Sequence, residues 1–537
     1  MGVLDAAKMC GHLVVALPPF LARRPDERHI RACIQQKFAA RAEHFLRLVK
    51  TSVFDYPRSP YRALFREAGC AWGDLEALVR RDGLEAALAA LHRAGVYLKF
   101  DEFKGKREVK RGAKAFRFHE GDFDNPRLTS HFEVRSGGTR SSGTRTLIDL
   151  DFIAALALDT AILFDVHGLG RQPHAVWLPL GGMALIALLM YSRVGAKSLR
   201  WFSQVDGRTA RLSFKYRLGT DLLILYGRAF GGKLPLPEYV PVYEAKKIAI
   251  WLLETLRTEK RATVTTFASS AVRVCLSAGQ LGGDLGGAAF ITVGEPLTAA
   301  KRKVIEASGA KAIPRYAFTE AGILGYGCGT PAEPDDMHHL RGNSALINAP
   351  RAIDGEGRSV AAFYVTSLLK TAPKILINVE NGDFGAMVEK RCSCGFGELG
   401  YSVHLSAIRS FEKLTGEGVT FAGVDLTKIL EEALPARFGG TGVDYQVVEE
   451  ETAGGFTRLS LIVSPALGEI DERALIDCFL TELGRQAEVS KIMAEIWAQA
   501  GALAVRRALP LSTRAGKVFP FHLSETANRP NPRSRGG

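Results

Sequence analysis

The sequence predicts an α/β protein: a large N-terminal domain with mainly parallel sheets and a helical N-terminal region, followed by a small α/β C-terminal domain. Three observations support this fold class. The chain has 537 residues, more than a single hydrophobic core usually organises, so two or three domains are expected. Its first part has helical periodicity. Further along, short apolar runs alternate with longer helical segments.

The segment from Glu27 to Phe103 is predicted to be helical. Its apolar residues recur at intervals of three and four, which places them on one face of a helix. The recurring residues are Ile34, Phe38, Ala42, Phe45, Leu75, Leu78, Val79, Leu84, Leu88 and Leu91. A turn at Tyr56–Tyr61, which contains two prolines, separates helical segments.

Strands and helices alternate in the middle of the chain, which is typical of a largely parallel sheet. The predicted strands are Leu222–Tyr226, Thr263–Phe267, Ala288–Val293 and Ala312–Tyr316, and the predicted helices are Val242–Arg257 and Leu297–Ser308. Ligands are then expected at the carboxyl ends of the strands. The apolar run Ala175–Tyr191 is shorter than the roughly 20 residues of a membrane span and contains Pro179, so it is predicted to be a buried helix under the sheet.

The C-terminal third is predicted to begin with an antiparallel, hairpin-like section and to continue as a smaller α/β domain. The hairpin strands are Ser359–Leu368 and Ala372–Asn378; the later elements are helices at Asp425–Leu434 and Glu472–Leu483 and strands at Asp444–Glu449 and Arg458–Val463. The predicted domains are a helical region over 1–125, an α/β core over 126–408 and a C-terminal domain over 409–524. Residues 525–537, rich in Pro, Arg and Gly, are predicted to be disordered.

Charge and cysteine content indicate which ligands and which cellular compartment to expect. The net charge is +13, yet basic and acidic residues are interspersed outside Lys104–Lys114 and the tail, so no nucleic-acid recognition element is expected. The surplus charge favours small anionic ligands. Eight cysteines in a chain this long, with no clean cleavage site after Met1–Ala16, predict a cytoplasmic protein without a disulfide framework. Five scattered cysteines are expected to be buried: Cys10, Cys33, Cys70, Cys275 and Cys478.

A Gly/Ser/Thr loop lies near the start of the predicted α/β core, before its alternating strands and helices, and could hold phosphate groups. Its candidate binding residues are Ser136, Gly137, Gly138, Thr139, Ser141, Ser142, Gly143 and Thr144. Glycines let backbone N–H groups converge on an anion, and the hydroxyls can donate to phosphate oxygens. Taken alone, such a stretch is also typical of a flexible linker.

Four later motifs carry polar groups suited to a nucleotide. They are Gly294-Glu295-Pro296, the run Tyr316–Glu320, Asn381-Gly382-Asp383, and Ser512–Lys517 with its terminal Gly-Lys pair. Each has a simpler interpretation. Gly-Glu-Pro begins a helix, Thr319-Glu320 caps one, Asn-Gly-Asp forms a hairpin turn, and most lysines are solvated.

In this order and at these separations, the motifs resemble the adenylate-forming enzymes, and within them the phenylacetate-CoA ligase-like branch. The resemblance covers roughly residues 55–524. It implies that a carboxylate attacks the α-phosphate of ATP, pyrophosphate leaves, and the acyl adenylate passes its acyl group to a thiol. ATP, Mg²⁺ and CoA are the implied ligands, together with a small-molecule carboxylic acid and a mobile C-terminal lid. Two alternatives remain open: transfer to a carrier protein or a protein cysteine, and a degenerate zinc-stabilised nucleotide-binding module without turnover. A homodimer is also possible.

The resemblance also implies a role for each matching residue. By this resemblance, the loop residues contact phosphates, Gly294 and Glu295 lie below the adenine, and Tyr316 lies beside it. Thr319 and Glu320 reach the α-phosphate and Mg²⁺. Asp383 accepts the ribose hydroxyls, Arg409 binds ribose and phosphate, and Lys517 is catalytic. The loop lacks the family's Lys-Pro, so Arg140 or Arg145 would supply the charge. The family's hinge Asp is also absent, which leaves Glu412 or Lys413 as the pivot.

Cysteine and histidine residues suggest a structural metal. Cys392 and Cys394 form a Cys-x-Cys pair, and Cys328 lies upstream with either His338 or His339. Three thiols and one imidazole make a structural zinc set, and some phenylacetate-CoA ligase-like proteins have a similar arrangement. Reduced, unligated thiols are the alternative.

Overall fold

The computed structural model describes residues 3–22, 26–129, 132–135, 145–170, 172–206, 224–229, 234–352, 359–410, 413–416, 419–422, 428–451, 457–485, 488–510 and 521–523. The predicted phosphate loop, the pivot candidate Glu412, the catalytic candidate Lys517 and the tail over 525–537 lie outside the described residues.

The α-helices with defined bounds are, in chain order, α1 (Val3–Ala22), α2 (Glu27–Ala39), α3 (Arg41–Val49), α4 (Tyr61–Glu67), α5 (Trp72–Asp82), α6 (Leu84–Arg93), α7 (Phe100–Phe103), α8 (Leu150–His167), α9 (Gly182–Arg193), α10 (Ala245–Glu259), α11 (Ala268–Gln280), α12 (Ala299–Ala307), α13 (Gly395–Glu398), α14 (Leu434–Phe438), α15 (Glu472–Arg485) and α16 (Glu488–Ala500). Residues 224–229 are also helical, so the strand predicted at Leu222–Tyr226 is wrong in its described part. Two π-helical segments, Lys50–Phe54 and Lys428–Ala433, extend α3 and precede α14.

The strands are β1 (Val109–Arg111), β2 (Lys114–Phe116), β3 (Phe132–Arg135), β4 (Arg145–Ile148), β5 (Pro173–Leu178), β6 (Ser198–Ser203), β7 (Pro237–Tyr239), β8 (Ala262–Phe267), β9 (Ala288–Val293), β10 (Lys311–Phe318), β11 (Gly322–Gly327), β12 (Met337–His339), β13 (Ser344–Ala352), β14 (Ser359–Ser367), β15 (Val379–Glu389), β16 (Val403–Ser410), β17 (Lys413–Gly416), β18 (Val419–Ala422), β19 (Tyr445–Glu451), β20 (Thr457–Val463), β21 (Leu503–Arg507) and β22 (Phe521–Leu523).

A twelve-stranded sheet dominates the described structure, in the order β13-β14-β15-β16-β12-β11-β10-β9-β8-β5-β6-β7. The half from β10 to β7 is parallel, and the strands from β10 to β13 pair antiparallel. Strands β5, β8 and β9 are buried along their whole length, as expected for parallel strands covered on both faces. The predicted α/β fold class is confirmed.

The N-terminal helices pack mainly on the antiparallel half of the sheet. Their apolar faces share one core with β13, β14 and β15, and this core includes Phe45, Leu88, Phe363 and Val379. The predicted turn between helical segments lies between the π-helical end of α3 and α4. The periodicity therefore gave the correct element type for this region.

The run Ala175–Tyr191 was wrongly predicted as one helix, because it divides into strand β5 and helix α9. The two elements are separated by a break at Pro179 and the glycine pair. Gly181 has a φ of 155°, and a Cβ on Gly182 would lie 2.2 Å from Val134 Cγ1, so α9 begins where only glycine allows close approach to β3.

The segment Ala372–Asn378 was wrongly predicted as a strand, and β15 takes its place beside β14. Its polar groups bond in several directions: Ile375 N donates to the Phe123 carbonyl at 2.8 Å, and Asn378 Nδ2 donates to Leu88 O at 2.8 Å. Asn378 also has a φ of 48°, outside the β region. These contacts tie the segment to the N-terminal helices.

A separate four-stranded sheet, ordered β21-β20-β19-β22, forms the small C-terminal domain with α15 and α16. It contacts the large domain through α16: Val242 N donates to Gln499 Oε1 at 3.2 Å, and Arg273 Nη2 donates to Ala500 O at 3.0 Å. None of the described helices has both the length and the apolar character required to cross a bilayer.

Candidate functional site

Tyr316 and Asp383, both predicted nucleotide contacts, are hydrogen-bonded to each other. Tyr316 lies on β10 and donates its hydroxyl proton to Asp383 Oδ2 at 2.9 Å. Asn381 Nδ2 donates to the Tyr316 hydroxyl at 2.6 Å, and Ser410 Oγ on β16 donates to Asp383 Oδ1. Burial and the nearby Asp383 carboxylate raise the pKa of Tyr316 well above its usual value, so the phenol remains a donor. Three strands thus form one polar site.

Asn381-Gly382-Asp383 lies inside strand β15, so the hairpin-turn interpretation is wrong. Gly382 has a φ of 81°, a conformation that favours glycine, and it lies directly before Asp383. Asp383 is opposite Ser410 in the strand register. The irregular backbone aims the carboxylate at Tyr316 while β15 continues.

Thr319 and Glu320 lie in the turn that joins β10 to β11, so the alternative of a helix cap is wrong. Glu320 is 1% exposed, and its Oε1 accepts a hydrogen bond from Lys104 Nζ at 2.6 Å. Burial opposes the charge on Glu320, but the Lys104 ammonium outweighs it and lowers the pKa of this carboxyl. Burial also lowers the pKa of Lys104. The pair is therefore an ion pair held out of water.

A second group of charges includes Arg145, which follows the predicted phosphate loop in the sequence. Lys374, which is fully buried, donates to Asp124 Oδ1 at 2.6 Å and to the Glu120 carbonyl at 2.8 Å. Arg145, the first residue after the loop, donates to Asp124 Oδ2 at 2.6 Å. Sequence reasoning missed Lys104 and Lys374, because their partners are distant in the chain.

Gly294 and Glu295 follow β9 at the carboxyl edge of the parallel strands. The buried Glu295 carboxylate accepts from Ser269 N, from Ser269 Oγ at 2.8 Å and from Lys301 Nζ at 2.8 Å. These bonds satisfy the amino terminus of α11. The contacts of this carboxylate are thus with the protein, and a position below an adenine stays a prediction for both residues.

Arg409 lies on β16, next to Ser410 and opposite Phe384. Its Nη1 donates to the Ile408 carbonyl at 2.8 Å and lies 3.8 Å from Asp335 Oδ2. The predicted role in binding ribose and phosphate stays a prediction. Lys413 begins β17, and its side chain lies outside the described residues.

The four candidate zinc ligands come together. Atoms of Cys328, His338, Cys392 and Cys394 all lie within 4.8 Å of one another. His338 Nε2 is 3.1 Å from Cys394 Sγ, and Cys328 Sγ is 3.5 Å from Cys392 Sγ and 3.9 Å from Cys394 Sγ. His339 instead contacts Ser344 Oγ at 3.2 Å, and burial lowers its pKa to about 3. The cluster therefore uses His338.

The local backbone supports this cluster. His338 Nδ1 contacts the Tyr401 carbonyl at 2.7 Å, which directs Nε2 towards the thiols. A Cβ on Gly397 would lie 1.9 Å from the Cys392 carbonyl oxygen, so the Cys-x-Cys turn requires glycine there. The hydrogen bond with Cys328 and the contact with His338 lower the pKa of the Cys394 thiol against the effect of burial. A thiolate is the form that binds a metal.

Comparisons with known proteins place the fold. No family model and no curated protein matches the sequence. The crystal structure of 2-hydroxyisobutyryl-CoA ligase with 2-HIB-AMP and CoA, in the thioesterification state, matches with a TM-score of 0.56 and 16% identity over 90% of each chain. An amide bond synthetase from Marinactinospora thermotolerans matches with a TM-score of 0.41 and 13% identity over 89% of this chain and 92% of that one, and no argument is based on this match. The chain therefore shares its fold with 2-hydroxyisobutyryl-CoA ligase.

Proposed function

We propose that the protein activates a carboxylic acid with ATP and passes the acyl group to CoA, as a member of the phenylacetate-CoA ligase-like branch. The observation that carries the proposal is the hydrogen bond between Tyr316 and Asp383. The motif order assigns both residues to one nucleotide, although 67 positions separate them. Their contact at the seam of the large sheet supports that assignment.

Asp383 would hold the ribose. A carboxylate can accept two O–H bonds at once, which matches a ribose diol. Its present donors, Tyr316 and Ser410, are neutral hydroxyls that a diol can replace or join. Tyr316 would then lie against the adenine, and Arg409 would supply positive charge on the neighbouring strand.

Glu320 is the residue that would hold Mg²⁺. A carboxylate oxygen suits this hard cation, and the ion would neutralise phosphate charge during the displacement. The residue suits such an ion: Glu320 is buried, its pKa is lowered by Lys104 so that it carries a charge, and it lies four positions after Tyr316. One of its oxygens is bound to Lys104, so a cation would use the other oxygen or share the site with the ammonium.

The chemistry proceeds in two balanced steps. The acid's carboxylate oxygen forms a bond to the α-phosphorus, and the bond from that phosphorus to the bridging oxygen breaks to release pyrophosphate. The CoA thiolate then attacks the acyl carbonyl carbon, and AMP leaves with the electron pair. Lys517 would stabilise the charge that develops in the first step, through an ammonium that reaches both the carboxylate and the α-phosphate.

The cysteine cluster would hold a structural Zn²⁺. Its donor set, three thiols and the Nε2 of His338, matches a closed tetrahedral site, and the Tyr401 carbonyl already orients the imidazole. Such an ion would connect the end of β11 and strand β12 to the segment that leads into β16. It would therefore stabilise strand β11, which follows the turn containing Glu320, and strand β16, which carries Arg409.

The test is acid-dependent exchange of labelled pyrophosphate into ATP, measured over a panel of carboxylic acids. Exchange with at least one acid is expected, and its absence with every acid would contradict the proposal in favour of a binding module. With an active acid in hand, free CoA is compared with carrier proteins as acceptors. Acyl-CoA formation is expected; acylation of a carrier protein alone would replace CoA by the alternative acceptor.

A further inference from the structure

Arg315 is a buried cation without a carboxylate partner in the described part of the chain. Its side chain is on β10, the residue is 9% exposed, and its Nε has no hydrogen-bond partner there. Arg111, equally buried, shows the usual arrangement: it pairs with Glu102 at 3.1 Å and donates to backbone carbonyls. Lys301 and Lys374 likewise bond to carboxylates. Buried charges are normally paired, so Arg315 is an exception that requires a partner.

The surroundings of Arg315 are polar, and the buried carboxylate that acts on Tyr326, Asp159, is already paired with Lys37 and bonded to Tyr401. Arg315 is directly opposite Tyr326 in the pairing of β10 with β11. The Tyr326 hydroxyl lies 2.8 Å from Thr160 Oγ1, and the Tyr191 hydroxyl lies 2.6 Å from Thr265 Oγ1. Burial raises the pKa of both tyrosines, and the positive charge of Arg315 partly offsets this effect in each. The guanidinium therefore lies close to both phenols, and neither phenol supplies a negative charge.

The position of Arg315 matches that of a substrate-binding residue. It lies at the carboxyl end of a parallel strand, the edge where α/β proteins bind ligands. Its neighbour Tyr316 makes the contact with Asp383. Successive side chains of a strand point to opposite faces. Tyr316 packs with the N-terminal helical core. Arg315 lies on the other face, the face of Ile313, which belongs to the core that contains Tyr191 and Tyr326. One strand thus presents a nucleotide contact on one face and a buried cation on the other.

We propose that the acid activated by this protein carries a second carboxylate, which Arg315 binds away from the reacting one. This inference rests on the proposed function and specifies its substrate class as a dicarboxylic acid. The planar guanidinium can bind a carboxylate through two parallel hydrogen bonds. The hydroxyls of Tyr191 and Tyr326, each hydrogen-bonded to a threonine, would offer further polar contacts to this carboxylate. A monocarboxylic acid of the same length would leave the buried charge unpaired.

The experiment measures pyrophosphate exchange with matched acids. Linear dicarboxylic acids of four to ten carbons and the benzenedicarboxylic acids are compared with monocarboxylic acids of the same skeleton and with the half-amides. At least one diacid is expected to exceed its monoacid and half-amide in kcat/KM by about 30-fold or more, the size expected when a buried charge loses its partner. Arg315→Met is expected to remove this preference, mainly through KM, and Arg315→Lys to retain part of it.

Two controls separate binding from a structural role. Arg80→Met removes an arginine that is exposed on α5, and the preference for diacids should persist. The melting temperature of Arg315→Met should equal or exceed that of the wild type, because an unpaired buried charge is removed. A clear decrease in melting temperature with unchanged acid preference would assign Arg315 to a structural ion pair and overturn the inference. Exchange with monoacids at least as fast as with diacids would overturn it while the proposed function stands. No exchange with any acid would overturn both.

Discussion

The buried pair of Lys104 and Glu320 gives the most direct test of the described structure. We predict that Lys104→Met lowers the free energy of unfolding by about 3–5 kcal/mol, because it leaves the carboxylate of Glu320, 1% exposed, without its cation. Methionine retains the hydrocarbon that packs near Phe100 and Phe103, whose ring centroids lie 5.1 and 5.0 Å from the ammonium. The loss is therefore mainly electrostatic.

The reverse substitution, Glu320→Gln, should cost less. Burial and the nearby Lys374 lower the pKa of Lys104 while Glu120 raises it, so without Glu320 the amine can lose its proton and remain buried as a neutral group. The double variant removes both charges together, so its loss should be smaller than the sum of the two single losses by about 2 kcal/mol or more. An exposed pair, Arg80 and Glu76, serves as the matched control with an expected coupling of about 0.3–0.5 kcal/mol.

Urea unfolding followed by far-UV circular dichroism measures these four free energies, read from the transition of the large domain. Additive losses in Lys104→Met and Glu320→Gln, with coupling no larger than that of the exposed pair, would refute the arrangement. The electrostatic coupling depends on the short contact between Nζ and Oε1 at 2.6 Å in a site closed to water.

Three further predictions concern other sites. Lys517→Ala should lower acid-dependent pyrophosphate exchange by about 100-fold or more while ATP still binds, measured by calorimetry; unchanged exchange would refute its role. Purified protein should contain about one zinc per chain by elemental analysis, Cys394→Ser should lose it together with stability, and Cys478→Ser should keep it; metal-free wild type would contradict the site. Burial raises the pKa of Asp149 to about 6, so its contribution to stability is present below about pH 3.8 and is lost as pH rises through about 6. Asp149→Asn keeps a side chain that can cap α8. Its free energy of unfolding, measured relative to the wild type by urea titration, should therefore increase by about 3 kcal/mol between pH 3.5 and pH 7.5, and a pH-independent difference would contradict this.

Sequence reasoning succeeded where local pattern decides structure. The predicted strands at Thr263–Phe267 and Ala288–Val293 are within one residue of β8 and β9, since apolar runs bounded by breakers leave little choice. The resemblance assigned Tyr316 and Asp383 to one nucleotide; the structure brings the two side chains into contact, and their roles in binding stay predictions. The cysteine cluster was also predicted, but the choice of His338 required the strand geometry, since adjacent residues of β12 point to opposite faces.

The failures have physical causes. Ala175–Tyr191 was assigned to one helix, since a fully apolar run does not distinguish a buried strand from a buried helix. Cys33 and Cys70 were predicted to be buried and are half-buried, whereas Cys275 and Cys478 are buried. Lys104 and Arg315 were missed because the importance of a buried cation depends on partners that are remote in sequence.

Strand β10 is the seam of the large sheet, parallel to β9 on one side and antiparallel to β11 on the other. Under the two proposals above, alternation along this strand would place acid selectivity on one surface and nucleotide binding on the other. Protein engineers could therefore change the residues around Tyr191 and Tyr326 to accept new acids without altering the surface that carries Tyr316. Inserting or deleting one residue within β10 would exchange the two surfaces, so we expect this strand to tolerate changes of identity far better than changes of length.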